Sequence, residues 1–366
     1  MAQTVEDSIS IDYVPLMMQA LKLATKGRGW TRSNPLVGAV VLDRHGVVTA
    51  EGFHERIGSA HAEVVALKLA GLRASGGTLV VNLEPCCHKG RTGPCCDAII
   101  AAEISRVVIA HADPDPRVAG KGIESLRAHG VDVILDVQSA EAEIINRQYL
   151  LFKRLGRPFV TLKMALSLDG FIADAENKSR WITGTECRTH AQRLRSWHDA
   201  IVVGATTARL DNPRLTVRDV PGPQPDRFVM QGRTELKETL TMFEGEHAAM
   251  RVGLSLENSD WAVPAGTDGY PDVSAFTDRL EKEGYSSLLV EGGSRLAGSF
   301  LTAGLVDRLV MYYGPMLLGT GLPAVHGWGA SLLSARRYKD ISVIALEDGV
   351  VWTGYPEDEE NVYRAG

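Results

Sequence analysis

A chain of 366 residues with 45% hydrophobic and 23% charged residues has the balance of a soluble globular protein, and its length asks for more than one core. A formal net charge of −6 argues against nucleic acid or an anionic membrane as partner. Apolar runs such as residues 200–205 fall far short of the roughly 20 residues that span a bilayer.

Residues 1–13 are polar and acidic, unlike a secretory signal, so a cytoplasmic protein is expected. Leu16, Met17, Ala20, Leu21 and Ala24 recur at helical spacing, which predicts a helix over 13–27. Asn34-Pro35 interrupts the chain, and 37–42 reads as a strand closed by a turn at 44–46. Helices are predicted over 61–74, 95–103 and 119–129, and strands over 78–83, 107–110 and 131–135. Helices alternating with strands imply an α/β layer architecture. A long helix over 139–156 must stop at Gly156-Arg157-Pro158. The domain boundary is placed there, giving domains 1–155 and 156–366. Beyond it the pattern predicts strands over 159–165, 200–203 and 286–290 and a helix over 188–195. Residues 218–269 yield no assignable pattern.

Four of the five cysteines, Cys86, Cys87, Cys95 and Cys96, crowd together downstream of His61. A disulfide framework would spread them across a short secreted chain, whereas local crowding with a histidine points to metal. A catalytic zinc takes three protein ligands and keeps one position open for water. His61, Cys86 and Cys95 supply the three, and the open position supplies an activated water. Glu63, two residues from the histidine, suits a proton carrier between water and a leaving amine. Cys95 opens a predicted helix, where the dipole favours its thiolate. H-x-E followed by P-C-x-x-C marks zinc nucleobase deaminases. Here the second cysteine follows after eight residues instead of two, so a longer loop, 87–94, separates the sulfurs. Spacing alone leaves Cys95 and Cys96 both open as ligand, and Cys187 is read as a core or surface thiol. A structural zinc site, with Cys87 or His88 as fourth ligand, would leave Glu63 idle.

Several stretches carry a family resemblance. They are Ser33-Asn34-Pro35-Leu36-Val37-Gly38, Gly58-Ser59-Ala60-His61-Ala62-Glu63, residues 83–96, and Asp113-Pro114-Asp115-Pro116-Arg117. With them the chain resembles the bifunctional deaminase/reductase of bacterial riboflavin biosynthesis. The resemblance implies a cytidine-deaminase-like three-layer first domain that removes an amine from a diamino-hydroxy-phosphoribosylamino-pyrimidine. It makes His61, Cys86 and Cys95 the ligands of one zinc ion and Glu63 the proton shuttle. It prefers Cys95 to Cys96 because the family's second cysteine follows the loop proline, here Pro94. Asn34, His54, His88 and Arg91 become substrate contacts, Arg91 offering forked donors to a phosphate.

In the second domain the segments are Lys163-Met164-Ala165-Leu166-Ser167-Leu168-Asp169-Gly170, Ser179-Arg180-Trp181-Ile182-Thr183-Gly184, Asp211-Asn212-Pro213 and Glu291-Gly292-Gly293-Ser294. The last follows a predicted strand and opens a helix, a cradle for phosphate built from free backbone N–H groups. It is not the six-residue dinucleotide fingerprint. These segments resemble a reductase domain with a dihydrofolate-reductase-like fold that uses NADPH. The resemblance places Ala165, Trp181, Thr207, Asp211, Gly293, Ser294, Arg295, Leu296, Ala297, Gly298 and Ser299 along the dinucleotide. It places Ser179, Arg195, Leu215, Arg218, Glu291 and Lys163 against substrate. Hydride delivery to the opened ribosyl carbon would give a ribityl chain, with Lys163 polarising the imine and Arg195 and Arg218 taking the phosphate. The chain departs from the family at Gly314-Pro315-Met316, where a lysine commonly follows the proline. The resemblance also implies a homo-oligomer, dimer or tetramer, acting on a small phosphorylated pyrimidine. The alternative is a single-function zinc deaminase of nucleosides or RNA with a non-catalytic C-terminal half.

Overall fold

The structure, a computed structural model, describes residues 11–88, 93–232, 235–245 and 247–357. The chain divides into two compact units, Met1–Arg154 and Leu155–Gly366.

The first unit is built on a five-stranded sheet in the order β2-β1-β3-β4-β5. Its strands are β1 (Gly38–Leu42), β2 (Val48–Phe53), β3 (Thr78–Val81), β4 (Arg106–Ile109) and β5 (Asp132–Ile134). β1 pairs antiparallel with β2 and β3, and β3, β4 and β5 run parallel. The helices are α1 (Tyr13–Ala24), α2 (Ala62–Ala70), α3 (Cys95–Ala101), α4 (Lys121–Ala128) and α5 (Ser139–Leu155). Because successive strand residues face opposite sides, Ala39, Val41, Leu79 and Val81 pack with α2 on one face. Val40, Leu42 and Val80 pack with Met17, Ala20 and Leu21 of α1 on the other. A central sheet covered on both faces explains why β1 and β3 are apolar on both sides, with Thr78 the one polar residue. This is the three-layer α/β domain that the sequence led us to expect.

The second unit carries a nine-stranded sheet in the order β11-β10-β9-β8-β12-β6-β13-β16-β15. The strands are β6 (Phe159–Leu166), β8 (Ala200–Gly204), β9 (Asp226–Met230), β10 (Met250–Gly253), β11 (Trp261–Ala262), β12 (Ser287–Glu291), β13 (Arg308–Tyr313), β15 (Tyr338–Leu346) and β16 (Gly349–Pro356). β7 (Phe171–Ala173) and β14 (Leu322–Pro323) form a separate pair. β11 through β13 are mutually parallel, and β16 and β15 close the edge antiparallel. The helices are α6 (Thr185–Ser196), α7 (Ala205–Asp211), α8 (Val273–Lys282) and α9 (Ser294–Thr302). The chain leaves β6, builds outward from β8 to β11, then returns to insert β12 between β8 and β6. Open α/β sheets bind ligands at the carboxyl ends of strands where the order turns back in this way.

Residues 218–269, unassigned from the sequence, supply β9, β10 and β11. Strands β2, β7, β13, β14, β15 and β16 and helices α7 and α8 were likewise not anticipated as elements, whereas α9 is the helix expected to open after Glu291-Gly292-Gly293. The helix expected over 61–74 is α2 followed by a 3-10 turn at Gly71–Ala74.

Candidate active sites

In the first unit, His61 is the N-cap of α2, still extended at φ −70° and ψ 159°, so its ring leaves the chain before the helix begins. Cys95 is the first residue of α3, after the N-cap Pro94. Cys86 lies in the segment that follows β3. These three elements bring His61 Nδ1 to 3.1 Å from Cys95 Sγ and 3.5 Å from Cys86 Sγ. All three donor atoms lie within 4.8 Å of one another. Tetrahedral zinc, with bonds of about 2.0–2.1 Å to nitrogen and 2.3 Å to sulfur, sets such ligands roughly 3.5 Å apart. The trio therefore fits the ion in both chemistry and spacing. Cys96 stands aside, its thiol directed to the carbonyls of Pro85 at 3.5 Å and Gly122 at 3.7 Å. Cys87 packs against the apolar core beside α2.

Cys86 and Cys95 titrate as one hydrogen-bonded pair. The Cys86 thiol is drawn down to about 4, chiefly by its hydrogen bond with the Cys95 thiol, against the opposing effect of burial, and aided by His61. Cys95 is pushed up, by its bond to Cys86 and by deep burial. The Cys95 N–H in turn donates to Cys86 Sγ at 3.4 Å, so the free donor at the start of α3 serves the neighbouring sulfur.

Glu63 falls in the first turn of α2 and is only 3% exposed. Its Oε2 is buried with no hydrogen-bond partner among the described residues. Burial raises its pKa, the direction a proton carrier needs. An unpaired buried carboxylate oxygen costs about 1–3 kcal/mol or more. Such an atom beside the His61, Cys86 and Cys95 trio is free to take a partner from outside the chain.

His54, 3% exposed, sets its ring 5.3 Å from that of His61. His54 Nδ1 faces the Ala60 carbonyl at 3.2 Å, and a carbonyl only accepts, so this nitrogen carries the proton. Its Nε2 then accepts from Asn34 Nδ2 at 3.2 Å, which turns the Asn34 amide oxygen the other way. His88 Nδ1 is buried without a partner among the described residues. Arg91 lies outside the described residues.

In the second unit a cleft of about 1090 Å³ opens at the carboxyl ends of β6, β8 and β12. It gathers every residue expected in that site except Gly298. A Cβ on Gly298 would meet the His326 carbonyl oxygen at 1.9 Å, so this glycine lets residues 324–326 close over α9 and lies away from the ligand space. Gly292 and Gly293 have φ of +88° and +74°, conformations that suit glycine. They lead into α9, whose first residues Ser294 and Arg295 line the cleft with Gly293. There Ser294 Oγ is buried and without a partner among the described residues.

Lys163 and Glu291 are register partners on adjacent parallel strands, with Nζ 3.9 Å from Oε2. Burial lowers the Lys163 pKa, opposed by the Glu291 charge. Arg195 grips Glu291 by a fork, Nε to Oε1 at 2.7 Å and Nη2 to Oε2 at 2.8 Å, and its Nη1 donates to the Thr216 carbonyl. Arg195, expected at the substrate phosphate, lines the cleft while forked onto Glu291. Arg218, exposed at the cleft and bonded through Nη1 to Thr216 Oγ1 at 3.0 Å, keeps its charge available. Ser179 Oγ donates to Asp211 Oδ1 at 2.8 Å, joining a residue expected on the substrate to one expected on the cofactor. Trp181 is exposed with the Arg188 guanidinium 4.5 Å over its ring. Leu215, at φ +56°, is buried against the cleft floor. Tyr270 and His326 also line the cleft. Neither was anticipated, since Tyr270 follows the stretch without a pattern and His326 sits in a loop with no motif.

Comparison with known proteins agrees with this division. Residues 12–111 match the cytidine and deoxycytidylate deaminase zinc-binding region, and residues 158–352 match the RibD C-terminal domain. The chain is 39% identical over 323 residues to the riboflavin biosynthesis protein RibD of Escherichia coli, covering 83% of this chain and 88% of that one. It is 40% identical over 369 residues to RibD of Bacillus amyloliquefaciens, covering 95% and 98%. Among solved structures, a diaminohydroxyphosphoribosylaminopyrimidine deaminase/5-amino-6-(5-phosphoribosylamino)uracil reductase from Thermotoga maritima superposes with a TM-score of 0.85. That structure is 33% identical, with 94% of this chain and 98% of the other covered. The chain belongs to the RibD family, the bifunctional deaminase/reductases of riboflavin biosynthesis.

Proposed function

We propose that residues 1–155 deaminate a diaminohydroxyphosphoribosylaminopyrimidine with one zinc ion held by His61, Cys86 and Cys95. Residues 156–366 then reduce the ribosyl group of the product with NADPH. The observation that carries this reading is the convergence of His61 Nδ1 and two sulfurs beside the unpartnered Glu63 Oε2. Zinc, when bound there, acidifies water and so supplies the nucleophile. Glu63 takes the proton from that water and returns it to the departing amine, which leaves as ammonia while the ring carbon gains oxygen. Asn34, its amide set by His54, presents an acceptor to an N–H of the ring. His88 contributes a buried nitrogen in want of a partner, and Arg91 is assigned to the substrate phosphate.

In the second domain the N-terminus of α9, with Gly293 and the free Ser294 Oγ, receives the dinucleotide phosphates. Ala165, Trp181, Thr207 and Asp211 flank the cofactor. Lys163, backed by Glu291, stands at the ribosyl carbon, and Arg218 takes the phosphate. We further propose a cytoplasmic homo-oligomer. No helix among the described residues is long and apolar enough to cross a membrane. The sheet-edge strand β15 exposes Ile341, Val343 and Ile344, an apolar edge that a second copy would cover.

A coupled assay tests the reading. Purified protein is expected to carry one zinc per chain, to release ammonia from the diaminopyrimidine ribosylphosphate, and to consume NADPH only after that release. Glu63→Gln should keep its zinc, lose ammonia release, and still oxidise NADPH with the deaminated substrate. Loss of zinc in that variant would favour a structural metal.

A further inference from the structure

We propose that Glu84 is a positioning residue for Cys86, holding the Pro85–Cys86 backbone where the metal needs its sulfur. The inference rests on the zinc reading above. His61 and Cys95 are placed by the starts of α2 and α3. Cys86 lies in no helix or strand, so something else must fix it.

Glu84 is 4% exposed, and its carboxylate gathers four backbone N–H groups. Oε1 accepts from Gly122 at 2.9 Å and Ile123 at 3.3 Å, and Oε2 accepts from Gly120 at 3.1 Å and Asp113 at 3.2 Å. The Glu84 N–H donates to the His111 carbonyl at 3.0 Å. Three of the four donors belong to the start of α4, whose N-cap Gly120 has no side-chain cap of its own. Glu84 is thus a cap supplied from across the fold, and the helix dipole adds to four charge-assisted bonds in offsetting its burial.

The next peptide is held from the other side. A Cβ on Gly122 would come within 2.1 Å of the Pro85 carbonyl oxygen, so α4 and this peptide are in direct backbone contact. The Cys96 thiol spans the same two carbonyls, Pro85 and Gly122. Cys86 itself accepts the Cys96 N–H on its carbonyl at 3.1 Å. The clamp therefore runs from α4 through Glu84 and Pro85 to the ligand. Supports of this kind typically change metal affinity by about 10–100-fold when removed.

The test is the rate at which full-length, zinc-loaded protein gives up its metal to a chromogenic chelator, measured below the melting transition. Glu84→Gln puts an amide N–H₂ against two donors and should release zinc at least about tenfold faster than wild type. Gly122→Ala keeps the carboxylate but pushes the Pro85 peptide, and should also hasten release. Leu150→Ala hollows the same unit at a fully buried position of α5, an element that carries none of His61, Cys86 or Cys95; it should lower the melting temperature yet release zinc at the wild-type rate. NADPH oxidation with deaminated substrate reports that the second unit is intact. The proposal is overturned if Glu84→Gln releases zinc at the wild-type rate, or no faster than Leu150→Ala at a matched melting temperature. Should Glu84→Gln not fold, wild-type release by Gly122→Ala overturns it. Wild-type protein unable to hold zinc at all would instead overturn the reading on which the proposal rests.

Discussion

Arg195 and Glu291 are locked together by two parallel hydrogen bonds of 2.7 and 2.8 Å in a nearly closed part of the cleft. Their side chains are 13% and 8% exposed, so solvent screens them little. Removing one partner strands a buried charge, and Glu291→Ala should destabilise the second unit by about 3–5 kcal/mol in urea unfolding. Burial raises the Glu291 pKa, but the Arg195 and Lys163 charges more than offset it and hold the carboxyl at about 2, below its ordinary 4.5. A lowered folded pKa contributes stability that is complete above the unfolded value and is lost as pH falls through the folded one. The gap between wild type and variant should therefore be flat above about pH 4.5 and shrink toward pH 2. A gap that widens on acidification would contradict the pairing.

With Arg195 forked onto Glu291, Arg218 is the phosphate contact proposed above for the reductase substrate. A charge-assisted contact is worth about 1.5–3 kcal/mol. Arg218→Ala should raise KM for the phosphorylated substrate roughly 10- to 150-fold, and leave KM for NADPH within about twofold. Initial-rate kinetics with each substrate varied in turn would check both.

The Asp113 carboxyl, raised by burial to about 6 from 3.8, behaves with the opposite sign. Its oxygens accept from Tyr149 at 2.9 and 3.1 Å and from the Asp115 N–H. A raised folded pKa gives stability that is complete below the unfolded value and is lost as pH rises through the folded one. Two pKa units correspond to roughly 3 kcal/mol. Asp113→Asn should gain on wild type between about pH 4 and 7, read from hydrogen exchange of β3 amides at each pH. A pH-independent difference would contradict it.

Gly298 supplies a steric prediction. An added methyl would meet the His326 carbonyl oxygen at 1.9 Å, which is backbone and cannot swing away. Gly298→Ala should cost about 1–3 kcal/mol of overpacking, even though Ala favours helices. Thermal unfolding of the second unit measures it; an unchanged or higher melting temperature would show that residues 324–326 do not rest on α9.

The sites were legible to different depths for physical reasons. The convergence of His61, Cys86 and Cys95 was legible because rare residue types recur as H-x-E and P-C with a further cysteine downstream, and the structure brings the three together. The covered sheet of the first unit could be read because β1, β3 and β4 are covered on both faces and mainly apolar, with Thr78 and Arg106 only at strand starts. β11 is only two residues long, and β9 buries Arg227, whose Nη1 donates to the Arg214 carbonyl, so apolar pattern failed there. β15 lies at the sheet edge with most of its residues exposed, and no alternation marks it. The engagement of Arg195 by Glu291, 96 residues away, and of Glu84 by the start of α4 is set by tertiary approach. Local sequence holds no trace of either. Gly298 was taken with its neighbours as a contiguous cofactor stretch, although a helix turns one residue in such a run away from the ligand.

Zinc stoichiometry of single cysteine variants tests the central claim most directly. Metal analysis should find one zinc per chain in wild type and in Cys96→Ser, and far less than one in Cys86→Ser and Cys95→Ser, with ammonia release lost in the same two. Full zinc and undiminished deamination in Cys95→Ser, or loss of zinc on replacing Cys96 alone, would contradict the account.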